Sequence, residues 1–247
     1  MQINIKTKKM KIIKLSIVVS VLFAAISASA QNADEILQKH EKAIGGTENW
    51  DKIKTVKMTG SMSMQGMDLG LTQTMILGKA MRTDITVMGI TGFTIVTTTQ
   101  GWMYMPFQGQ TKVDTMKPEM VMAAQKQLDI KSNQLLDYKT NGTRAEYVGT
   151  DTVNGNTCFK IKFTDKEGNE STSYFDKNTY YLVRTENKLK SDSEEMEVAV
   201  LYDKYKKMDE GVVMPMSVTA QGAEITFTSI ELNKPVDEKV FIPTIDK

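Results

Sequence analysis

His40 and Cys158 are the only histidine and the only cysteine in the 247 residues. A serine or cysteine hydrolase needs a histidine presented beside its nucleophile. A zinc protease needs two histidines on one helix face, and this chain owns one. A single cysteine forms no intrachain disulfide. No phosphate loop or dinucleotide fingerprint occurs. Carboxylate chemistry is what remains. Asp192, Glu194, Glu195 and Glu197 crowd a turn and the start of a strand, where alternation puts Glu195 and Glu197 on one face and Glu194 on the other. Their spacing matches no EF-hand loop and reads as a solvated hairpin tip. Arg82 and Asp84 share a strand face and are expected to serve a structural, cross-sheet polar pairing. The sequence therefore predicts no catalytic residue, no metal ligand set and no cofactor.

The elements that hold these residues follow from periodicity. Residues 34–44 read as an amphipathic helix capped by Asp34, with Ile36, Leu37, His40, Ala43 and Ile44 on one stripe and Gly45-Gly46 at its end. His40, four residues from both Ile36 and Ile44, is expected to be partly buried and hydrogen-bonded. A helical turn over Thr47–Lys52 follows, with Trp50 packed under a sheet. Strands are expected at about 53–64, 69–78, 80–88, 91–99 and 102–106. Pro106–Thr115 reads as a loop, and Pro118 opens a second helix running to Leu128. A second run of strands covers 144–152, 157–165, 170–176, 180–190, 194–206, 211–220, 222–233 and a short piece near 238–242. Asn154-Gly155 and Gly168-Asn169 are hairpin signals. Cys158 lies on the parity opposite Phe159, Ile161 and Phe163, which predicts an unreactive thiol. With no linker or low-complexity tract, the economical architecture is one continuous antiparallel sheet.

The first thirty residues read as a cleaved secretory signal. Lys6, Lys8, Lys9, Lys11 and Lys14 form a basic head, and Met10 is an alternative start. Leu15–Ile26 is the apolar run, and Ala28-Ser29-Ala30 is the cleavage site. The apolar run is about twelve residues, short of the roughly twenty that span a bilayer, and no cysteine at the cleavage point offers a lipid anchor. The expectation is a soluble exported domain over 31–247, carrying a formal charge near −4 once the five lysines are removed. An acidic chain without a basic run is a poor nucleic-acid binder, and no integral membrane protein is expected.

Methionine gives the strongest positive signal. Twelve of the 18 methionines fall between Met58 and Met122. Met58, Met62 and Met64 alternate with Lys57, Thr59, Ser61 and Ser63, the period of a strand with one apolar face. Thioethers are flexible and polarizable, so a sheet lined with them adapts to guests of varying shape. The predicted cavity lining is Met58, Met62, Met64, Leu71, Met75, Leu77, Ile85, Val87, Phe93, Ile95, Met103 and Met105. Trp102 and Tyr104 fall on the alternate parity. The helix at 118–128, with Met120, Val121 and Ala124, is expected to cover the opening, and Met120 joins the predicted lining.

The order of elements resembles a known family. Ala33-Asp34-Glu35-Ile36-Leu37-Gln38-Lys39-His40, Ala43-Ile44-Gly45-Gly46, Trp50 and Ile53–Gly60 open the domain. Gly101-Trp102-Met103-Tyr104-Met105-Pro106 and Gly149–Gly155 follow, and Ile230–Asp237 with Phe241-Ile242-Pro243 close it. Over about 33–243 this resembles the periplasmic LolA-like and outer-membrane lipoprotein-sorting proteins of Bacteroidetes-type bacteria. The resemblance implies a mainly β fold: a curved antiparallel half-barrel whose apolar hollow is lidded by helices. It also implies a periplasmic, chaperone-like carrier that sequesters acyl chains of lipoproteins or lipids without covalent chemistry. Its partners would be those chains and the envelope proteins that donate or receive the cargo. The arginine–proline loop of the well-known carriers has no counterpart in Gly78-Lys79-Ala80-Met81-Arg82, so Arg82 inherits no role. Two alternatives stay open: an envelope protein–protein interaction module on the same fold, and an enzyme using a cavity carboxylate.

Overall fold

The glycine-punctuated, alternating text folds into strands joined mostly by tight hairpins. The computed structural model describes residues 32–64, 67–190 and 195–245. The strands are β1 (Thr55–Met64), β2 (Met67–Ile76), β3 (Ala80–Val87), β4 (Ile90–Thr97), β5 (Gly101–Tyr104), β6 (Asp114–Thr115), β7 (Arg144–Val153), β8 (Asn156–Thr164), β9 (Glu170–Asp176), β10 (Leu182–Lys190), β11 (Glu195–Lys207), β12 (Val213–Ala220) and β13 (Ala223–Leu232). All thirteen form one curved, unclosed sheet, ordered β6-β5-β4-β3-β2-β1-β13-β12-β11-β10-β9-β8-β7. The chain walks outward from β1 to β6, restarts at the far edge with β7, and returns until β13 pairs antiparallel with β1. The helices are α1 (32–43), α2 (Thr47–Trp50), α3 (Pro118–Gln125) and α4 (Ile130–Asn133).

Bulges bend the sheet. Register shifts occur at Thr59/Gly60, Leu182/Arg184 and Tyr147/Gly149, and each extra residue increases local twist. Gly60 is required at the first of these, because a Cβ there would meet the Thr226 carbonyl and the Phe227 Cα of β13.

The main core forms where α2 and the segment after α3 meet the strand ends. Trp50, 1% exposed, packs with Ile44, Val56, Met75, Met81, Leu128, Val212 and Leu232. One carbonyl ties this region together. Ile44 O accepts from the Trp50 indole Nε1–H at 3.0 Å and from the Val213 N–H at 2.9 Å. The next residue, Gly45, has φ +107° and lies so close to Gly211 O and Val212 Cα that no side chain fits. A second cluster joins α1, through Ala33, Ile36 and Leu37, to Ile161, Phe163 and Phe175.

Several expectations need correction. Asp34 does not cap α1, which is already helical at residue 32, the first described residue. Its carboxylate instead accepts from Tyr138 Oη at 2.5 Å and Lys139 Nζ at 2.7 Å, partners far in sequence that local capping rules cannot see. The helix expected over 118–128 ends at Gln125 and tightens into a 3₁₀ turn over Lys126–Leu128. The strand expected near 238–242 is a 3₁₀ turn, Glu238–Phe241, whose entry Asp237 accepts from the Lys239 N–H at 3.0 Å. Inside the expected loop 106–115 lies β6, two residues long and too short for any period to register.

Gly45→Ala should destabilise the protein by more than about 1 kcal/mol, because positive φ and the lack of space act together. Urea unfolding checks this, and an unchanged midpoint would contradict the close approach of α1 to the β11–β12 turn.

Candidate functional site

Register decides which side chains share the hollow, since residues directly opposite in a ladder project to one face. Four rows cross the strands. The first is Leu232, Val56, Met75, Met81, Val96 and Gly101. The second is Ile230, Met58, Gln73, Thr83, Thr94 and Met103. The third is Phe227, Gly60, Leu71, Ile85 and Gly92, and Met105 lies beside Gly92. The fourth runs from Ile225 to Met62 and Leu69, with Val87 and Ile90 paired alongside.

Helices pack only against the near end of this face. The first row is plugged by Trp50, Leu128 and Ile130 around Met75 and Met81, with Leu77 partly buried against them. At Val96 the cover comes from Val121 and Met116, with Met103 and Ala124 alongside. Toward the β1–β2, β3–β4 and β12–β13 hairpins the picture changes. Met62, Ile85, Val87, Val218, Ile225 and Phe227 are half-buried, while Leu69 and Leu71 are buried. Across β12, β13 and β1–β5, no charged residue falls on these four rows. The candidate site is this trough: an uncharged, mainly apolar wall left half open beyond the helices.

The predicted lining divides accordingly. Met58, Met62, Leu71, Ile85, Val87, Met103 and Met105 share the trough face. Met75 and Leu77 share it too, but inside the plug. Met64 ends β1 opposite Met67, and its side chain lies outside the described residues. Phe93 and Ile95 are on the other face. The β3–β4 turn has only two residues, Met88 and Gly89, both with positive φ, as a tight hairpin demands. Val87 therefore pairs with Ile90, and the trough receives Ile90, Gly92, Thr94 and Val96. Phe93 and Ile95 instead join Ala80 and Phe241, with Trp102, Tyr104, Val236 and Val240 packed around them on the convex face. Met120 is 42% exposed, because α3 turns Val121 and Ala124 to the sheet. Sequence reasoning missed Leu69, Ile225 and Phe227, although the alternation of β13 carries the last two.

The residues with chemical potential are structural where they are described. His40 is 1% exposed, with Nδ1 2.8 Å from Tyr180 O and Nε2 3.3 Å from Gln134 O, and its ring meets Phe175 edge-on at 4.9 Å. Burial pushes its pKa below the ordinary imidazole value, against the two carbonyls and Glu41. Cys158 is fully buried on the convex side, and burial pushes its thiol pKa up. Arg82 pairs along its own strand with Asp84 (Nε–Oδ1 2.8 Å), donates to Val240 O at 3.0 Å and lies over the Phe93 ring. This clamps the C-terminal segment to the convex face, so the pairing runs along the strand and not across the sheet. Asp192 and Glu194 and the side chains of Glu195 and Glu197 lie outside the described residues.

A cavity of about 210 Å³ also lies between α1 and residues 135–140, lined by Asp34, Leu37, Glu41, Leu135 and Tyr138 among others. Ligand pockets usually span roughly 300–1,000 Å³. This one is smaller, carries carboxylates, and sits apart from the trough.

No protein-family model and no curated protein matches the chain. Solved structures do. A DUF1329 family protein from Desulfovibrio piger superposes with a TM-score of 0.56 at 13% identity, covering 86% of this chain and 97% of that one. A domain described as an outer membrane lipoprotein-sorting protein, from Vibrio parahaemolyticus, gives 0.53 at 14% identity over 86% and 97%. A LolA superfamily protein from Nitrosomonas europaea gives 0.50 at 9% identity over 85% and 96%. The fold is LolA-like: a curved antiparallel half-barrel with few helices. Among the described residues no helix is long and apolar enough to cross a membrane, which says nothing of crossing by strands.

The His40 environment has a measurable consequence. Its folded pKa lies below its unfolded value, so the unfolded chain binds the extra proton and stability falls as pH drops through the unfolded value of about 6.5. Between pH 7.5 and 5.5 the wild type should lose stability as the unfolded chain takes up this proton. His40→Gln should lose far less over the same interval. Equal losses in urea titrations would contradict a neutral, buried His40.

Proposed function

We propose that the trough binds the hydrocarbon chains of lipids or lipoproteins, and that the protein is a periplasmic carrier working by reversible sequestration. The observation that carries this reading is the uncharged wall of Met62, Ile85, Ile225 and Phe227, half-buried around the buried Leu69 and Leu71 on a sheet face whose other end is fully packed. A core would be covered, and a solvated face would alternate with charge. The wall suits a guest that is itself apolar. Burying a methylene is worth about 0.8 kcal/mol, so about ten give roughly 8 kcal/mol, within the 4–15 kcal/mol that association costs. The similarity to structures described as lipoprotein-sorting and LolA proteins supports the same reading. Under it, residues 1–30 direct export, no covalent step occurs, and envelope proteins deliver or receive the cargo.

Diphenylhexatriene, an uncharged hydrocarbon dye, tests the wall directly. The wild type should bind it with enhanced fluorescence. Met62→Asp and Ile225→Asp, on adjacent strands in the half-buried row, should each weaken binding at least tenfold. Lys57→Asp, on the exposed face of the same strand as Met62, should not. Equal binding by all four proteins would place the dye elsewhere and contradict the proposal.

A further inference from the structure

One row of the trough is not apolar. Gln73, Thr83 and Thr94 stand side by side on β2, β3 and β4, flanked in the same row by Met58 and Met103. Directly opposite residues lie about 4.5–5.5 Å apart between Cβ atoms, so the three form a continuous polar strip. It sits between the plugged first row and the third row, where Ile85 and Phe227 are half-buried beside the buried Leu71. All three are half-buried.

Their hydrogen bonds leave donors over. Gln73 Nε2 donates to Thr83 Oγ1 at 3.2 Å and approaches Met81 Sδ at 3.2 Å, a thioether being a weak acceptor. Thr83 thus accepts, and its own hydroxyl hydrogen remains to be given. Among the described hydrogen bonds, none involves the Thr94 hydroxyl. These groups are neutral. The nearest cation in sequence, Arg82, is on the convex face and committed to Asp84 and Val240 O.

Resting on the reading above, we propose that the trough selects acyl chains linked through an uncharged carbonyl, such as an ester, over free fatty acids, and that Gln73, Thr83 and Thr94 are the selecting residues. An ester carbonyl needs one or two donors and brings no charge. A carboxylate placed against the same strip would lose its hydration with no counter-charge to replace it, which is strongly unfavourable. A guest whose chain lies on the third and fourth rows carries its linkage to the strip.

The test is displacement of diphenylhexatriene at pH 8 by monodecanoylglycerol and by decanoate, which share one chain length. The wild type should prefer the ester at least tenfold. Thr83→Val and Thr94→Val are near-isosteric, and the double variant with or without Gln73→Leu should lower ester affinity about tenfold. Dye binding and decanoate affinity should not fall with it. Dye binding also reports that each variant is folded, and the single Thr94→Val keeps the test decisive if the multiple variants fail to fold. Equal affinity of the wild type for ester and acid, or variants that leave ester affinity unchanged, would overturn the selectivity while leaving the carrier reading intact. Failure of the wild type to bind the dye would overturn both.

Discussion

A curved sheet must keep its apolar face from water, and here the helices reach only one end of it. Along β1–β5, β12 and β13 the cover is densest over the first row, where Trp50, Leu128, Ile130 and Val121 close on Val56, Met75, Met81 and Val96, and it reaches Met58, Ile230 and Met103 in the second. The doubly used Ile44 carbonyl fixes that limit. By accepting from Trp50 and Val213 together, it welds the α1–α2 corner to the start of β12, and the tight passage of Gly45 under Gly211 and Val212 leaves no slack. The corner cannot slide toward the hairpins. Beyond it Met62, Ile85, Val87, Ile225 and Phe227 stay half-buried.

The two faces are stabilised by different means. The convex face near β3–β5 is covered by the C-terminal segment, with Val236, Val240 and Phe241 over Phe93 and Ile95 and the Arg82–Asp84 pair holding Val240 O. Lys79 adds an exposed ion pair with Glu238 at 2.6 Å, worth little by itself. The far wing, β7–β10, is held by α1 through Phe163 and Phe175, with His40 Nδ1 2.8 Å from Tyr180 O. Both wings are thus anchored on the flanks of the trough, and the hollow is framed by packed structure on either side.

Most of this was legible in the residues, and the failures share one cause. Alternation within β1 and glycine turns between strands located the sheet, and the Met58–Met62 parity pointed to the trough face. Parity does not carry across a turn unless the turn length is known. The two-residue Met88-Gly89 turn moved Phe93 and Ile95 to the convex face, and their hydrophobicity misled because the C-terminal segment makes that face apolar as well. Asp34 failed similarly: Tyr138 and Lys139, more than a hundred residues away, took the carboxylate that local rules assign to a cap. Depth along the trough was equally hidden. Nothing in the alternation of β2 separates Met75, inside the plug, from Leu71 beyond it, since that division depends on where Trp50 and Leu128 fall in space.

The central claim is spatial: a hydrocarbon guest rests on the rows beyond the helices. Photo-crosslinking tests this most directly, using an acyl chain with a terminal diazirine followed by mass spectrometry of the labelled peptides. The account predicts labels on β1, β2, β3 and β13, at Met62, Leu71, Ile85, Ile225 and their row neighbours. Labels confined to α1 and residues 135–140, where the small carboxylate-lined cavity lies, or to the Phe93–Phe241 side of the sheet, would contradict it.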